Sequence, residues 1–216
     1  MMKLWSMLGP VLDAILPRRE RRRHTEERTV SDIPLSPTSY ELLGVRILSI
    51  LNYREPAVED LLRSLKYDHS LHAARLCAEL LEDYLREEIS SIRSFSARRI
   101  LLVPVPLHKD RLRERGFNQI EIVLQYLPPE FHDGSLASVV SALLRVRATK
   151  QQTHLSREKR IQNVAGAFEL SPSHSVKDVN VILIDDVVTT GATLVEAGKP
   201  FVENSIPVTL LALARA

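Results

Sequence analysis

Cysteine, glycine and aromatic residues are all scarce in this chain of 216 residues. The single cysteine, Cys77, excludes an internal disulfide and any metal site built from several cysteines. None of the seven glycines belongs to a Gly-x-x-x-x-Gly-Lys-Ser/Thr loop, which excludes a P-loop nucleotide site. Aromatic residues make up only 5% of the chain and leave few platforms on which bases stack. We therefore do not expect direct binding of nucleic acid.

An excess of charge of one sign is also lacking. Lysine and arginine together number 29, aspartate and glutamate 27, and the formal net charge is +2. A nearly balanced chain does not carry the electrostatic signature of a nucleic-acid binder. We therefore expect its function to come from a local site.

The apolar N-terminus, residues 1–16, is too short to span a membrane. Pro10 and Asp13 interrupt it, and a Pro-Arg-Arg sequence follows directly, without the small-residue cleavage site of a signal peptide. We therefore expect a cytoplasmic protein with no membrane span. Residues 1–16 are expected to form a short amphipathic docking helix, with attachment to a membrane surface as the alternative.

Residues 18–28 hold six arginines against three glutamates, and a stretch rich in serine, proline and threonine follows as far as Ser39. This composition predicts an irregular or mobile linker, with an arm that binds nucleic acid or a partner protein as the alternative. We therefore divide the chain into a docking helix and basic linker over residues 1–39 and a well-buried domain over residues 40–216.

The spacing of apolar residues predicts alternating helices and strands in that domain. Helices are expected near residues 56–65, 76–85 and 110–126, and from about Thr193 until Gly198 and Pro200 end or kink the last one. Strands are expected from Arg99 towards Leu107, at 181–184 and at 208–214, with a short extended piece at 168–170. The sequence of residues 40–53 and 136–147 is compatible with either a helix or a strand. This order predicts an α/β fold with a doubly wound parallel sheet, whose ligands bind beyond the carboxyl ends of the strands.

Residues 181–193 are the most informative stretch, because an apolar strand leads there into Asp185, Asp186 and a turn rich in hydroxyl groups. Carboxylates accept hydrogen bonds from a sugar diol, whereas the free amides at a helix N-terminus donate to a phosphate. This order of groups predicts a site for a ribose 5-phosphate. Side chains alternate along a strand, so both carboxylates reach one ligand only if the strand ends there and the chain curls.

This stretch closely resembles the phosphoribosyl pyrophosphate (PRPP) motif of type I phosphoribosyltransferases, and nearly the whole chain resembles the competence-associated ComF family. The motifs that carry the wider resemblance are residues 12–17, Leu65-Lys66-Tyr67, Val103–Leu107, Arg115–Gln119, and the spaced set Arg147, Thr149, Gln152, Leu155, Arg160, Asn163 and Phe168. One departure is large, because many such chains carry a cysteine zinc ribbon where residues 18–28 have arginines. Because these cysteines are missing, we expect no zinc site in this chain. A smaller departure is Asn204-Ser205-Ile206, where a glycine turn is usual.

The resemblance implies a type I phosphoribosyltransferase-like sheet with flanking helices and a small N-terminal helical appendage. It places Asp185 and Asp186 at the ribose hydroxyls and, through water, at Mg²⁺. It implies that the 5-phosphate lies against a loop formed by Val187, Val188, Thr189, Thr190, Gly191, Ala192 and Thr193. The pyrophosphate would approach Pro106 and Leu107. The implied catalytic residues are Asp185, Asp186, Arg115 and Arg160; further cations and orienting side chains are Arg147, Lys150, Asn118, Gln119, Gln152 and Asn163.

These implications lead to one main hypothesis, a protein that binds PRPP and Mg²⁺ and transfers phosphoribose to an acceptor that no residue identifies. The alternative is a non-catalytic module that senses PRPP or nucleotides, or binds a partner protein, in DNA uptake or DNA processing. Turnover distinguishes the two, because only an enzyme releases pyrophosphate with an acceptor.

Overall fold

The computed structural model describes residues 23–42, 45–148 and 163–216. The strands in these ranges are β1 (Leu35–Leu42), β2 (Val45–Asn52), β3 (Arg99–Pro104), β4 (Ser138–Val139), β5 (Leu143–Arg145), β6 (Phe168–Leu170), β7 (Val179–Val188) and β8 (Val208–Arg215). The helices whose full extent lies in them are α1 (Pro56–Tyr67), α2 (Leu71–Arg93), α3 (Lys109–Arg115), α4 (Gln119–Gln125) and α5 (Ala192–Glu203).

A six-stranded sheet with the order β1-β2-β8-β7-β3-β4 forms the centre of the fold. Strands β2, β8, β7, β3 and β4 run parallel, and β1 joins the edge antiparallel to β2. The first six residues of β7, Val179–Ile184, are all buried, as expected of a central parallel strand covered on both faces. The predicted α/β fold with a mostly parallel, phosphoribosyltransferase-like sheet is confirmed. Strands β5 and β6 form a separate antiparallel pair.

Helices cover both faces of the sheet. Helices α1, α2 and α4 pack on one face, in a core that includes Ile182 and Ile184 of β7. Helix α5 and the β5–β6 pair pack on the other face, in a core that includes Val181 and Leu183 of the same strand. Alternate residues of β7 therefore anchor the two layers, as the period of a strand requires.

Helices α1 and α2 confirm the predicted pair. The hydroxyl of Ser70 accepts a hydrogen bond from the backbone N–H of Ala73 at 3.1 Å, so Ser70 is the N-cap of α2. Residues 40–53, which fitted either class, belong to strands β1 and β2. Residues 136–147 contain the short strands β4 and β5.

The single helix predicted over residues 110–126 is wrong, because the chain forms two helices there. Gly116 ends α3 in a left-handed conformation with φ of 84°, which glycine adopts without steric cost. Asn118 then caps α4 through a 3.0 Å hydrogen bond from the N–H of Ile120 to its side-chain oxygen. The chain therefore changes direction between the end of α3 and the start of α4.

Helix α5 continues through Pro200 to Glu203, so of the two expected outcomes, an end or a kink, the helix does not end at Gly198 or Pro200. Phe201 is fully buried one residue later, and its packing holds the last turn in place. The side chain of Asn204 donates to the carbonyl oxygen of Pro200 at 2.8 Å. Gly198 lies so close to β8 that an added Cβ would come within 3.1 Å of a Leu210 methyl carbon.

The segment before β1 is folded wherever the structure describes it, unlike the irregular linker that its composition predicts. Thr25 is fully buried, and its hydroxyl lies 3.0 Å from that of Ser64 in α1. Ile33 belongs to the core, and β1 runs across the expected boundary between residues 39 and 40. The expected docking helix over residues 1–16 lies outside the described residues. No helix in the described part of the chain is long and apolar enough to cross a bilayer.

Candidate functional site

The predicted sugar-phosphate motif follows the buried part of β7 at the carboxyl edge of the sheet. We expected the strand to end at the two acids. It continues to Val188 instead, since Asp185, Val187 and Val188 still pair with β8. The turn comes at Thr189 and Thr190. Gly191, with φ of 74°, is the N-cap residue directly before α5. Because β7 stays extended, the two carboxylates lie on opposite faces of the sheet.

Asp185 and the residues from Val187 to Leu194 line a concavity of about 220 Å³, counting its open mouth. We call it the threonine-loop site. Its floor is the N-terminus of α5, where backbone N–H groups lack helical acceptors and the helix dipole is positive. The hydroxyl of Thr190 accepts weakly from the N–H of Ala192, at 3.5 Å. This combination favours an anion at the loop with a carboxylate beside it.

Asp186 is tied to the helices on the opposite face. Its Oδ2 atom lies 2.9 Å from the Lys66 ammonium and accepts a 3.0 Å hydrogen bond from the Gln119 amide. Its Oδ1 atom accepts from the N–H of Val187 at 2.6 Å. The Asp186 and Lys66 side chains are only 15% and 24% exposed. Both carboxylate oxygens of Asp186 are thus engaged by protein groups.

The surroundings of Asp185 and Lys66 change the pKa values of both groups. Burial and the neighbouring negative charge of Asp186 raise the pKa of Asp185 to about 7, against the opposing effects of Lys66 and Arg145. For Lys66, burial lowers the pKa of the ammonium, but the charge and hydrogen bond of Asp186 outweigh burial and raise it overall. Near neutral pH, Asp185 therefore exchanges a proton, whereas Lys66 stays charged.

A second cation acts on Asp185 from the β5–β6 pair. The Arg145 guanidinium lies over the ring of Phe168, 5.3 Å from its centroid. Burial lowers the pKa of Arg145, and the negative charge of Asp185 opposes that shift. Lys66 thus acts on both acids, and Arg145 adds a second positive charge near Asp185.

The proline-rich loop after β3 lies at the same edge as the acids. The N–H of Val105 donates to the carbonyl of Ile184 at 2.8 Å and extends the pairing of β3 with β7. The side chain of Asn118 donates to the carbonyl of Val105 at 3.0 Å. The loop that contains Pro106 and Leu107 is therefore anchored to the strand that carries the acids, at the edge where ligands of such sheets bind.

The predicted arginines fall in different surroundings. Arg115 ends α3 with its guanidinium 5.9 Å from the centroid of the Tyr67 ring, beside Lys66. Arg147 donates to the backbone carbonyl oxygens of Asn163 and Ala165. These hydrogen bonds connect the chain just after β5 to the chain just before β6. Three further predicted residues lie outside the described part of the chain: Lys150, Gln152 and Arg160.

Comparison with known proteins identifies the family. No family model matches the chain. It is 34% identical over 160 residues to the DNA utilization protein YhgH of Salmonella typhimurium, covering 74% of this chain and 66% of the relative. It is 38% identical over 99 residues to Competence protein F of Haemophilus influenzae (45% and 42%) and 32% identical over 129 residues to Competence protein ComFC of Bacillus subtilis (59% and 49%).

The chain belongs to the ComF family. The match spans 66% of the length of the Salmonella protein and about half or less of the other two. The family membership that the motifs predicted is thereby confirmed.

A metal ion held by protein ligands alone has no site in residues 23–42, 45–148 and 163–216, which contain no cluster of three or more His, Cys, Asp or Glu side chains arranged for one. Mg²⁺ does not need such a cluster, because it keeps several waters and is bound through one or two carboxylates plus phosphates of a ligand. Asp185 at the threonine-loop site fits that requirement. Asp186 fits it only by way of water, or if Lys66 moves away.

Two residues that act on the acids, Lys66 and Arg145, had no role assigned from the sequence. Lys66 lies in the Leu65-Lys66-Tyr67 motif, which was a family signal without an assigned chemistry. Arg145 lies in a segment that fitted either helix or strand. A lysine directly after the apolar face of α1 was the available signal, but its partner is 120 positions away in the chain.

Replacing Lys66 by methionine is expected to lower the free energy of unfolding by about 2 kcal/mol, because the Asp186 carboxylate stays largely buried without its cation. Urea denaturation measures the change. The matched control is Arg63→Met on the same helix, where the ion pair with Glu59 is nearly half-exposed and the expected loss is below about 0.5 kcal/mol. Equal losses in the two variants would contradict the role of Lys66.

Replacing Asp185 by asparagine is expected to change the pH dependence of stability. The raised pKa means that the folded protein keeps a proton that the unfolded chain loses above about pH 4, so this stabilisation is complete below pH 4 and disappears as the pH rises through about 7. The melting temperature of the variant should therefore exceed that of the wild type increasingly from pH 5 to 7, by on the order of 5 °C, and the difference should level off above pH 7.

Thermal unfolding without ligand or divalent metal measures this profile. Asp83→Asn on the exposed face of α2 controls for the change in net charge. A difference that does not vary between pH 5 and 8 would show that Asp185 ionises normally.

Proposed function

We propose that this ComF protein binds PRPP together with Mg²⁺ at the threonine-loop site. The observation that carries the proposal is the concavity in which the N-terminus of α5 and the threonine turn meet the Asp185 carboxylate. An anion at the helix N-terminus and a hydroxyl donor at the carboxylate are the two ends of a ribose 5-phosphate.

Each part of the ligand has a matching part of the chain. The 5-phosphate would accept hydrogen bonds from the amides that begin α5 and from the hydroxyls of Thr189, Thr190 and Thr193. A ribose hydroxyl would donate to Asp185. The pyrophosphate would extend towards the loop of Pro106 and Leu107, which Asn118 holds beside β7.

The metal, when bound, would neutralise pyrophosphate charge and polarise the leaving group. Asp185 is the residue that would hold it, through water or directly, and cation binding would favour its ionised form over the protonated one. Asp186 would act from the opposite face, fixing the end of β7 through Lys66 and Gln119. Arg115 and Arg160 stay candidates for stabilising the negative charge that develops on the leaving group.

Transfer of phosphoribose to an acceptor is the activity that this site supports best. The second candidate is a non-catalytic, PRPP- or nucleotide-responsive partner in DNA uptake. It is favoured by the names of the relatives, which refer to competence and to DNA utilisation. Release of pyrophosphate in the presence of an acceptor supports the first candidate, and binding without turnover supports the second.

Calorimetric titration with PRPP and Mg²⁺ tests the binding. The Asp185→Asn variant is expected to bind on the order of tenfold to a hundredfold more weakly, since it loses a hydrogen bond to a charged acceptor. Asp178→Asn is the matched control, because that residue directly precedes β7 at the opposite edge of the sheet and should leave binding unchanged. Equal affinity of both variants, or no binding by the wild type, would reject the assignment.

A further inference from the structure

A second concavity, of about 630 Å³ counting its open mouth, lies at the carboxyl ends of β2 and β8. Its polar lining comes from three strands and the turn after β2. The lining residues that matter here are Ser36, Thr38, Asn52, Arg54 and Arg215. We call it the arginine pocket. No carboxylate side chain lines it, and its two charged side chains are both guanidinium groups.

Neither Arg54 nor Arg215 forms an ion pair with any part of the chain that the structure describes. Other arginines in the described ranges do pair with a carboxylate, as Arg28 does with Asp60 at 3.2 Å and Arg86 with Glu130 at 2.6 Å. Two guanidinium groups beside hydroxyl and amide groups, with no acidic side chain in the lining, favour a ligand that brings negative charge, although the terminal carboxylate of Ala216 also borders the pocket.

Arg215 is held in position before any ligand arrives. Its guanidinium lies 4.2 Å from the centroid of the Tyr40 ring, which restrains the side chain by cation–π stacking. Its backbone pairs with Asn52 on one side and Val188 on the other. A pre-positioned, planar arginine binds carboxylates and phosphates with little further loss of side-chain entropy.

The arginine pocket adjoins the threonine-loop site. Val188 lines the threonine-loop site and is the pairing partner of Arg215, which lines the arginine pocket. The N–H of Ala216 donates to the carbonyl of Val188 at 2.9 Å and continues this contact. Neighbouring strands lie about 4.8 Å apart. Small ligands in the two concavities would therefore lie side by side along the same edge of the sheet.

We propose that the arginine pocket binds the carboxylate or phosphate group of the second substrate, so that the acceptor of this protein is a small anionic molecule. This inference rests on the proposed function for its link to transfer. The pocket as an anion site rests only on Arg54, Arg215 and the groups around them. The two claims can fail separately.

The test uses the full chain and two probes, benzoate as a planar carboxylate and orthophosphate. Their dissociation constants are measured by NMR titration for the wild type, Arg54→Gln and Arg215→Gln. Arg46→Gln is the matched control, because Arg46 lies on β2 at the opposite end from the pocket. We expect each pocket variant to weaken the tighter probe at least tenfold and the control to leave it unchanged. The probe that binds more tightly distinguishes a carboxylate ligand from a phosphate ligand.

PRPP affinity is measured on the same samples and should stay within twofold in every variant. Unchanged probe affinity in both pocket variants would overturn the proposal, and so would loss of PRPP binding in parallel with probe binding, since the arginines would then belong to the PRPP site. Arg54 is exposed, so a folding defect of Arg215→Gln would leave Arg54→Gln decisive. If the wild type binds a probe through these arginines but does not bind PRPP, the proposed function fails and the anion pocket stands.

Discussion

The carboxylate of Asp186 is the contact on which the rest of the site depends. It joins the end of the central strand β7 to Lys66 at the end of α1 and to Gln119 at the start of α4. Gln119 follows Asn118, whose side chain fixes the proline-rich loop. One partly buried ion pair therefore sets the relative positions of a strand end, two helix ends and a loop. A buried pair of this kind costs more to break than an exposed one, which gives the edge of the sheet a defined geometry.

The adjacent acid, Asp185, differs from Asp186 in the face of the sheet that it occupies and in the groups around it. Asp185 points to the other face, where it borders the N-terminus of α5 and senses Arg145. Its burial beside a second negative charge raises its pKa to about 7, so near neutral pH both its protonated and its ionised forms are populated. A bound cation or hydroxyl donor would stabilise the ionised form. Asp186 thus holds parts of the fold together, and Asp185 is the acid that we propose contacts a ligand.

The sequence predicted the elements whose signals are local. The buried run of β7, the helix pair α1 and α2, and the turn into α5 follow from apolar spacing and caps. The prediction from sequence was less accurate where a single residue or its packing changes the course of a helix. Gly116 divides a stretch that otherwise has helical spacing, and packing of Phe201 carries α5 past Pro200.

The site was predicted in its residues more than in its arrangement. The motif identified Asp185, Asp186 and the threonine turn, and the structure brings them to one edge with Pro106 and Leu107. The pairing of Lys66 with Asp186 was not predictable, because it joins residues 120 positions apart. Arg145 was missed because three-residue strands carry almost no periodic signal. The same is true of the arginine pocket, whose residues come from distant parts of the chain.

A crystal structure of the protein grown with PRPP and Mg²⁺ would test the central claim most directly. It should show the 5-phosphate against the backbone amides that begin α5 and a ribose hydroxyl on Asp185, with the ion pair between Asp186 and Lys66 intact. Density for the phosphoribosyl group only at Arg54 and Arg215, or ribose hydroxyls on Asp186 with Lys66 displaced, would contradict this division between the two carboxylates.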